Sequence, residues 1–114
     1  EREVAARSLA ASGPAVLLKG GHGEGPEVVD LLVDLSAEDP VRRFRRPRLA
    51  TRATHGTGCT LSAAIAVRLA RGEPLPGAVA GAIDYLHGAM AAAYPLGSGH
   101  GPVDHLYALF PERP

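Results

Sequence analysis

The chain has 114 residues, 46% of them hydrophobic, which supplies apolar material for one core and limits the chain to one domain or part of one. Its charges balance to a formal net of zero, so the overall charge favours neither a nucleic acid nor a membrane surface as a partner. The longest apolar stretch is interrupted by Arg68 and Arg71 and is shorter than the roughly 20 residues that a membrane span needs. The single cysteine, Cys59, excludes an intramolecular disulfide, and a free thiol without a signal peptide predicts a cytoplasmic protein.

The sequence pattern of residues 4–18 predicts a helix followed by a strand. Apolar residues near helical spacing within residues 4–11 indicate a helix, which Ser12-Gly13-Pro14 ends. The apolar run 15–18, bounded by Pro14 and by two glycines, indicates a short buried strand. A helix, a tight break and an apolar strand form an αβ unit, so we expect this strand to belong to a parallel sheet.

The next segment predicts a hairpin at the edge of that sheet. Apolar residues 28–35, a polar turn at 36–40 and an alternating run at 41–46 have the pattern of two paired strands. The only dense basic cluster lies in and after the second strand. A nucleic-acid patch is conceivable there, but a solvated edge strand that discourages further pairing is the favoured interpretation. The cluster consists of Arg42, Arg43, Arg45, Arg46, Arg48 and Arg52.

Two helices are predicted in the second half of the chain. The first extends over residues 57–70, is apolar on nearly every side and is therefore expected to be buried, with Gly72 as its stop. The second begins near Pro76 and ends at Tyr94-Pro95. The glycine-rich tail that follows cannot be regular structure, and residues 106–110 are expected to pack back on the body.

The loop Thr54-His55-Gly56-Thr57-Gly58-Cys59-Thr60 leads directly into the first of these helices. The first N–H groups of a helix have no intrahelical partner, and the helix dipole places positive charge at the same end. The two glycines let the backbone approach a ligand closely. The loop therefore predicts an anion site suited to phosphate. It matches neither the dinucleotide fingerprint nor the Walker A loop.

Cys59 at the start of this helix has two interpretations. The positive helix end favours the thiolate, which could accept a proton from a substrate hydroxyl or attack as a nucleophile. Alternatively, Cys59 is a small buried residue of an apolar helix. Its position after a Gly-Thr-Gly loop favours the functional interpretation. A Cys–His pair with His55 is a weaker idea, and the histidines and acidic residues show no metal-ligand pattern, so no metal ligand is assigned.

Four segments, in order, resemble hydroxymethylpyrimidine/phosphomethylpyrimidine kinases of the ribokinase-like superfamily. The first three are the strand end Lys19-Gly20-Gly21-His22, the segment 44–49 and the signature-like segment 54–66. The last is Gly99-His100-Gly101-Pro102 with its flanking residues. Together these segments are spread over nearly the whole chain.

The resemblance implies a three-layer α/β ribokinase-like fold and phosphoryl transfer from Mg-ATP to a hydroxymethylpyrimidine and then to its monophosphate. It implies an anion hole made by the backbone of Gly56, Thr57, Gly58 and Cys59, with Cys59 as the catalytic residue. It further implies that Lys19 neutralises phosphate charge and that Thr54 contacts the nucleotide phosphates. The position of Lys19 agrees with this role, because it follows the carboxyl end of a predicted parallel strand, the edge where open α/β sheets bind ligands, and two glycines come after it.

We expect residues 1–114 to be the C-terminal part of a single kinase domain, because the chain starts without Met in an uncapped helix. The expected cofactors are ATP and Mg²⁺, and the expected partner is a small pyrimidine substrate, with no nucleic acid or membrane and with homodimerisation of the full-length protein. Three alternatives stay open: a pyridoxal or related vitamer kinase, a non-catalytic phosphopyrimidine-binding module, and a cysteine hydrolase.

Overall fold

A computed structural model describes residues 1–112, and the chain divides into two compact units at Arg48–Leu49. The first unit carries one helix and three strands, and the second carries two helices joined by a short turn. In chain order the elements are α1 (Arg2–Ala10), β1 (Val16–Leu18), β2 (Glu27–Val33), β3 (Val41–Pro47), α2 (Thr57–Ala70) and α3 (Leu75–Ala91). No helix among residues 1–112 is both long and apolar enough to cross a membrane.

The sheet of the first unit has the order β1-β2-β3, and both strand pairs are antiparallel. The α/β class and the hairpin β2–β3 are confirmed. The prediction of a parallel strand is wrong, because β1 pairs antiparallel with β2, with Val16 opposite Val33. A three-residue apolar run carries no information about strand direction. The glycine-rich loop after β1 reverses the chain, so β2 returns alongside β1.

Helix α1 packs on the sheet through small residues. Ala6 and Ala10 are buried with Val33, and partly buried side chains of β1 and β3 complete this core. At the edge of the contact, the Glu3 carboxylate accepts hydrogen bonds from Arg7 and Arg43. The bond from Arg7 is the main reason why the pKa of Glu3 lies below its usual value. Because α1 spans Arg2–Ala10, the predicted N-terminal helix and its stop at residues 12–14 are confirmed.

A tight turn closes the hairpin. The Asp34 N–H donates to the carbonyl oxygen of Pro40 at 2.9 Å. The Asp34 carboxylate accepts hydrogen bonds from the hydroxyl and the N–H of Ser36, and the hydroxyl is the main cause of the lowered pKa of Asp34. Strand β3 is the edge of the described sheet, and its arginines are exposed or partly exposed. Its position agrees with the predicted edge strand.

Helix α2 has the predicted limits but not the predicted burial. It spans Thr57–Ala70, and Gly72 follows with a φ of +85°, as a helix stop at this position requires. Only Thr60 and Leu61 are buried among its residues, whereas Val67 is 51% exposed. The expectation of a buried helix is wrong for this chain. Packing against α3 alone leaves much of its apolar surface uncovered.

Helix α3 supplies most of the core of the second unit. It starts at Leu75 with Pro76 in the first turn, as predicted, and ends at Ala91, before the predicted Tyr94-Pro95. Tyr107 from the tail packs on α3, with its ring centroid 5.9 Å from that of Tyr85. The prediction that residues 106–110 pack back is thus confirmed for Tyr107, whereas Phe110 is 52% exposed. The buried residues of α3 are Ala78, Val79, Ala82, Ile83, Leu86 and Ala89.

Candidate active site

The loop before α2 is held by the glycine-rich tail. His55 donates its N–H to the Gly101 carbonyl oxygen at 3.2 Å, and Gly101 donates its own to the Arg52 carbonyl oxygen at 3.1 Å. The Thr54 hydroxyl lies 3.2 Å from Nδ1 of His100, and an isolated parallel bridge joins His55 to Pro102. The tail segment thereby fixes the backbone from which α2 starts. Two of the four resembling motifs meet at this point.

A single glycine makes the turn from this loop into the helix. Gly56 has a φ of +76°, a conformation that is unfavourable for residues with a side chain. Its carbonyl oxygen accepts the N–H of Thr60 at 2.9 Å, which begins the helical hydrogen bonding. Gly58 has no atom near the place where a side chain would stand, so the space in front of it is open. The turn and the open space agree with the predicted role of both glycines.

The N–H groups of Gly56, Thr57, Gly58 and Cys59 lie at the start of α2. Within residues 1–112, none of these four groups donates to an acceptor of the chain. Gly58 and Cys59 are exposed, and Gly56 and Thr57 are partly exposed. Unpaired donors at the positive end of a 14-residue helix favour an anion such as a phosphate group.

The thiol of Cys59 is exposed, as is much of α2, so within residues 1–112 it is not a buried residue of the helix. It lies beside an open cleft of about 590 Å³ along α2. Ala63, Ala64 and Val67 form the apolar middle of the cleft, and Arg68 and Arg71 lie at its far end. Among the described residues no hydrogen bond links His55 with Cys59, so the weaker idea of a Cys–His pair gains no support.

His105, which the sequence predicted only to cap or close the tail, contacts this region. Its Nε2 lies 2.9 Å from the hydroxyl of Thr60, and its carbonyl oxygen accepts a hydrogen bond from the hydroxyl of Tyr85 at 2.8 Å. Thr60 is buried and directly follows Cys59. His105 therefore ties the tail to the first turn of α2. No local sequence pattern predicts this contact, because 45 residues separate Thr60 from His105.

Lys19 lies in the first unit, at the end of β1. Its side chain is exposed, whereas the following Gly20 is buried. The N–H of Gly20 donates to the carboxylate of Asp30 at 2.6 Å. Lys19 does follow a strand, as predicted, but that strand pairs antiparallel with β2 and not in the predicted parallel arrangement. The role of Lys19 toward phosphate stays a prediction.

A family model described as phosphomethylpyrimidine kinase matches residues 1–104, which include Lys19, the loop and the start of α2. The chain belongs to this family. The resemblance seen in the four motifs is thus confirmed.

Individual members of the phosphomethylpyrimidine kinase family agree with this assignment. A hydroxymethylpyrimidine/phosphomethylpyrimidine kinase of Streptomyces coelicolor is 52% identical over 106 residues, which are 92% of this chain and 38% of the relative. A thiamine biosynthesis bifunctional protein ThiED of Geobacter sulfurreducens is 48% identical over 107 residues, covering 94% of this chain and 21% of the relative. The chain thus spans well under half the length of these relatives.

Solved structures confirm the fold. An ADP complex of Bacillus subtilis pyridoxal kinase superimposes with a TM-score of 0.85 and 29% identity, over 96% of this chain and 42% of that protein. The α/β fold is accordingly that of part of a ribokinase-like kinase.

Proposed function

We propose that the complete protein containing this chain transfers a phosphoryl group from ATP to hydroxymethylpyrimidine, and then to the resulting monophosphate, in thiamine biosynthesis. Family membership and the names of relatives that are 52% and 48% identical support this substrate. Residues 1–114 form the C-terminal part of the kinase domain in this proposal. The chain's share of its relatives' length, 38% for the Streptomyces protein, agrees with a part of a larger enzyme.

One observation supports the proposed chemistry most strongly: the peptide donors of Gly56, Thr57, Gly58 and Cys59 are unpaired within residues 1–112. Phosphoryl transfer depends mainly on positioning and on stabilising the charge that spreads over the γ-phosphate oxygens. Preorganised N–H groups at a helix start meet both requirements. We infer that they form the anion hole for the transferring phosphate.

Cys59 accepts the proton in the proposed reaction. The hydroxyl oxygen of the substrate attacks the γ-phosphorus, the bond between this phosphorus and the β,γ-bridging oxygen breaks, and ADP leaves. The hydroxyl proton passes to Sγ of Cys59, whose exposed position leaves it accessible to a substrate. Lys19 neutralises phosphate charge, and Thr54 contacts the nucleotide phosphates.

ATP is the proposed phosphoryl donor, and the ADP bound in the Bacillus pyridoxal kinase supports this choice. Mg²⁺ is expected with it, but residues 1–112 contain no group of three or more His, Cys, Asp or Glu side chains that could hold a metal ion. Magnesium in phosphoryl-transfer sites is held largely by phosphate oxygens and water, so such a group of side chains is not needed for it. No step is assigned to the ion. A cytoplasmic homodimer is the proposed state of the complete protein.

A pyridoxal or related vitamer kinase is the second candidate, because a solved neighbour with a TM-score of 0.85 bears that name. Assaying the complete protein with ATP against hydroxymethylpyrimidine, its monophosphate and pyridoxal in parallel distinguishes the two. We expect kcat/KM to be at least about tenfold higher for the pyrimidines. A preference for pyridoxal would overturn the substrate assignment. If the complete protein binds nucleotide but transfers no phosphoryl group to any of the three compounds, the assignment as a kinase is wrong and a non-catalytic binding module is favoured.

A further inference from the structure

The loop between β1 and β2 is unusually rich in glycine. Residues 20–26 read Gly-Gly-His-Gly-Glu-Gly-Pro, and all but Gly20 are exposed. Glycine loses more backbone freedom on ordering than other residues, so such a loop stays ordered only if specific contacts hold it. The loop directly follows Lys19, and its order therefore bears on the placement of that side chain.

Arg48 supplies these contacts. Its Nε donates to the carbonyl oxygen of Gly25 at 2.8 Å, and its Nη1 donates to that of Gly21 at 2.9 Å. Its Nη2 donates to the carbonyl oxygen of Gly23 at 2.7 Å, with a longer contact to that of Glu27 at 3.4 Å. One guanidinium thus holds alternate carbonyl groups along the whole loop. A planar group with five N–H donors can do this, whereas an ammonium group cannot.

The sheet places Arg48 beside the loop. The β2–β3 pairing ends with Glu27 opposite Pro47, and the Arg48 N–H donates to the Pro26 carbonyl oxygen at 2.8 Å. The hairpin register therefore brings the side chain of Arg48 to the end of the loop. At the other end of the loop, the N–H of Gly20 is held by the Asp30 carboxylate on β2. The loop is fixed from both ends by side chains of one hairpin.

We propose that Arg48 is a positioning residue: its guanidinium keeps residues 20–26 ordered, and so keeps Lys19 placed for the phosphates of ATP. This inference rests on the proposed kinase function and deepens it. If the loop is already ordered before ATP binds, the free energy of ATP binding does not include the entropy cost of ordering the loop. Loss of Arg48 therefore weakens ATP binding more than it slows the chemical step.

The test compares Arg48→Gln and Arg48→Lys in the complete protein. Arg42→Gln is the matched control, since Arg42 lies on β3, which ends just before Arg48, and within residues 1–112 its side chain makes only a 3.9 Å ion pair with Asp39. Limited digestion with glutamyl endopeptidase, followed by mass spectrometry, measures cleavage after Glu24 in the centre of the loop. Steady-state kinetics with ATP as the varied substrate then measure KM and kcat, and circular dichroism confirms that each variant is folded.

We expect cleavage after Glu24 to be about tenfold faster in Arg48→Gln, intermediate in Arg48→Lys and unchanged in Arg42→Gln. We expect the KM for ATP to rise about five- to tenfold while kcat stays within about twofold. Unchanged cleavage in the folded variants would overturn the role of Arg48 in ordering the loop. Faster cleavage with an unchanged KM would overturn its link to ATP. A complete protein without kinase activity would instead overturn the function, while the digestion would still decide whether Arg48 orders the loop.

Discussion

Gly20 occupies a place where no other residue fits. A Cβ atom there would lie 2.1 Å from the carbonyl oxygen of Val29, a backbone atom that cannot move aside without disturbing the sheet. The neighbouring Gly21 has no atom within 4 Å of the corresponding position. Two adjacent glycines of the same motif thus serve different purposes. Gly20 permits a close backbone approach, and Gly21 makes no such contact.

This contrast gives a prediction for stability. Gly20→Ala in the complete protein should lower the free energy of unfolding by about 2–3 kcal/mol, because the added methyl group overpacks against backbone. Gly21→Ala, the matched control, should change it by no more than about 0.5 kcal/mol. Urea denaturation followed by circular dichroism measures both values. Equal effects of the two substitutions would contradict the close approach.

The sequence predicted the residues of the candidate site that are neighbours along the chain. Gly56, Gly58 and Cys59 are recognisable because glycines before a helix have a direct physical meaning at its positive end. The contacts of His100 with Thr54 and of His105 with Thr60 were not predicted. Each spans 45 or 46 residues, and only the folded tail brings the partners together.

At the scale of elements, α2 departs most from expectation. Its limits followed from apolar spacing and from the stop at Gly72, and they are confirmed. Its burial was inferred from its apolar composition. Composition shows that the surface of a helix must be covered, but it does not show which part of the protein covers it. In the proposed larger enzyme, the remaining part of the protein covers the exposed side of α2, including Val67 and Leu69.

A substitution on α2 tests this explanation. Val67→Asp in the complete protein should lower the free energy of unfolding by at least about 2 kcal/mol, because a buried carboxylate would lack a partner. Leu109→Asp is the control, at a tail position that is 71% exposed. Thermal or urea unfolding of both variants measures the difference. A neutral effect of Val67→Asp would show that this side of α2 faces solvent.

The pairing of the strands could be predicted from the sequence only in part. The β2–β3 hairpin was predictable, because an apolar run and an alternating run flank a short polar turn at residues 36–40. The direction of β1 was not predictable, since a run of three residues has no directional signal and the preceding helix suggested a parallel arrangement. The carbonyl contacts of Arg48 could not be predicted either, because the sequence placed that arginine in a basic cluster and in the family-like segment 44–49 without indicating what it contacts.

At the scale of the whole molecule, the family was predictable because four motifs occur in the right order, and the match to residues 1–104 confirms it. The sequence could not give the pyrimidine-binding residues. In the proposed enzyme they belong to the part of the protein outside this chain, which spans 38% of the Streptomyces relative. We accordingly expect the isolated 114-residue chain to be inactive or poorly soluble.

The proposed phosphoryl transfer depends on the peptide donors at the start of α2 and on the thiol of Cys59 beside them. The most direct measurement is turnover and ATP affinity of the complete protein carrying Cys59→Ala, with Ser62→Ala, one turn further along α2, as the matched control. We predict that Cys59→Ala lowers kcat about 10²- to 10³-fold and leaves the Kd for ATP within about twofold, because Cys59 takes the proton while the backbone still binds phosphate. Ser62→Ala should leave both values nearly unchanged. Undiminished turnover in Cys59→Ala would contradict the proposed mechanism.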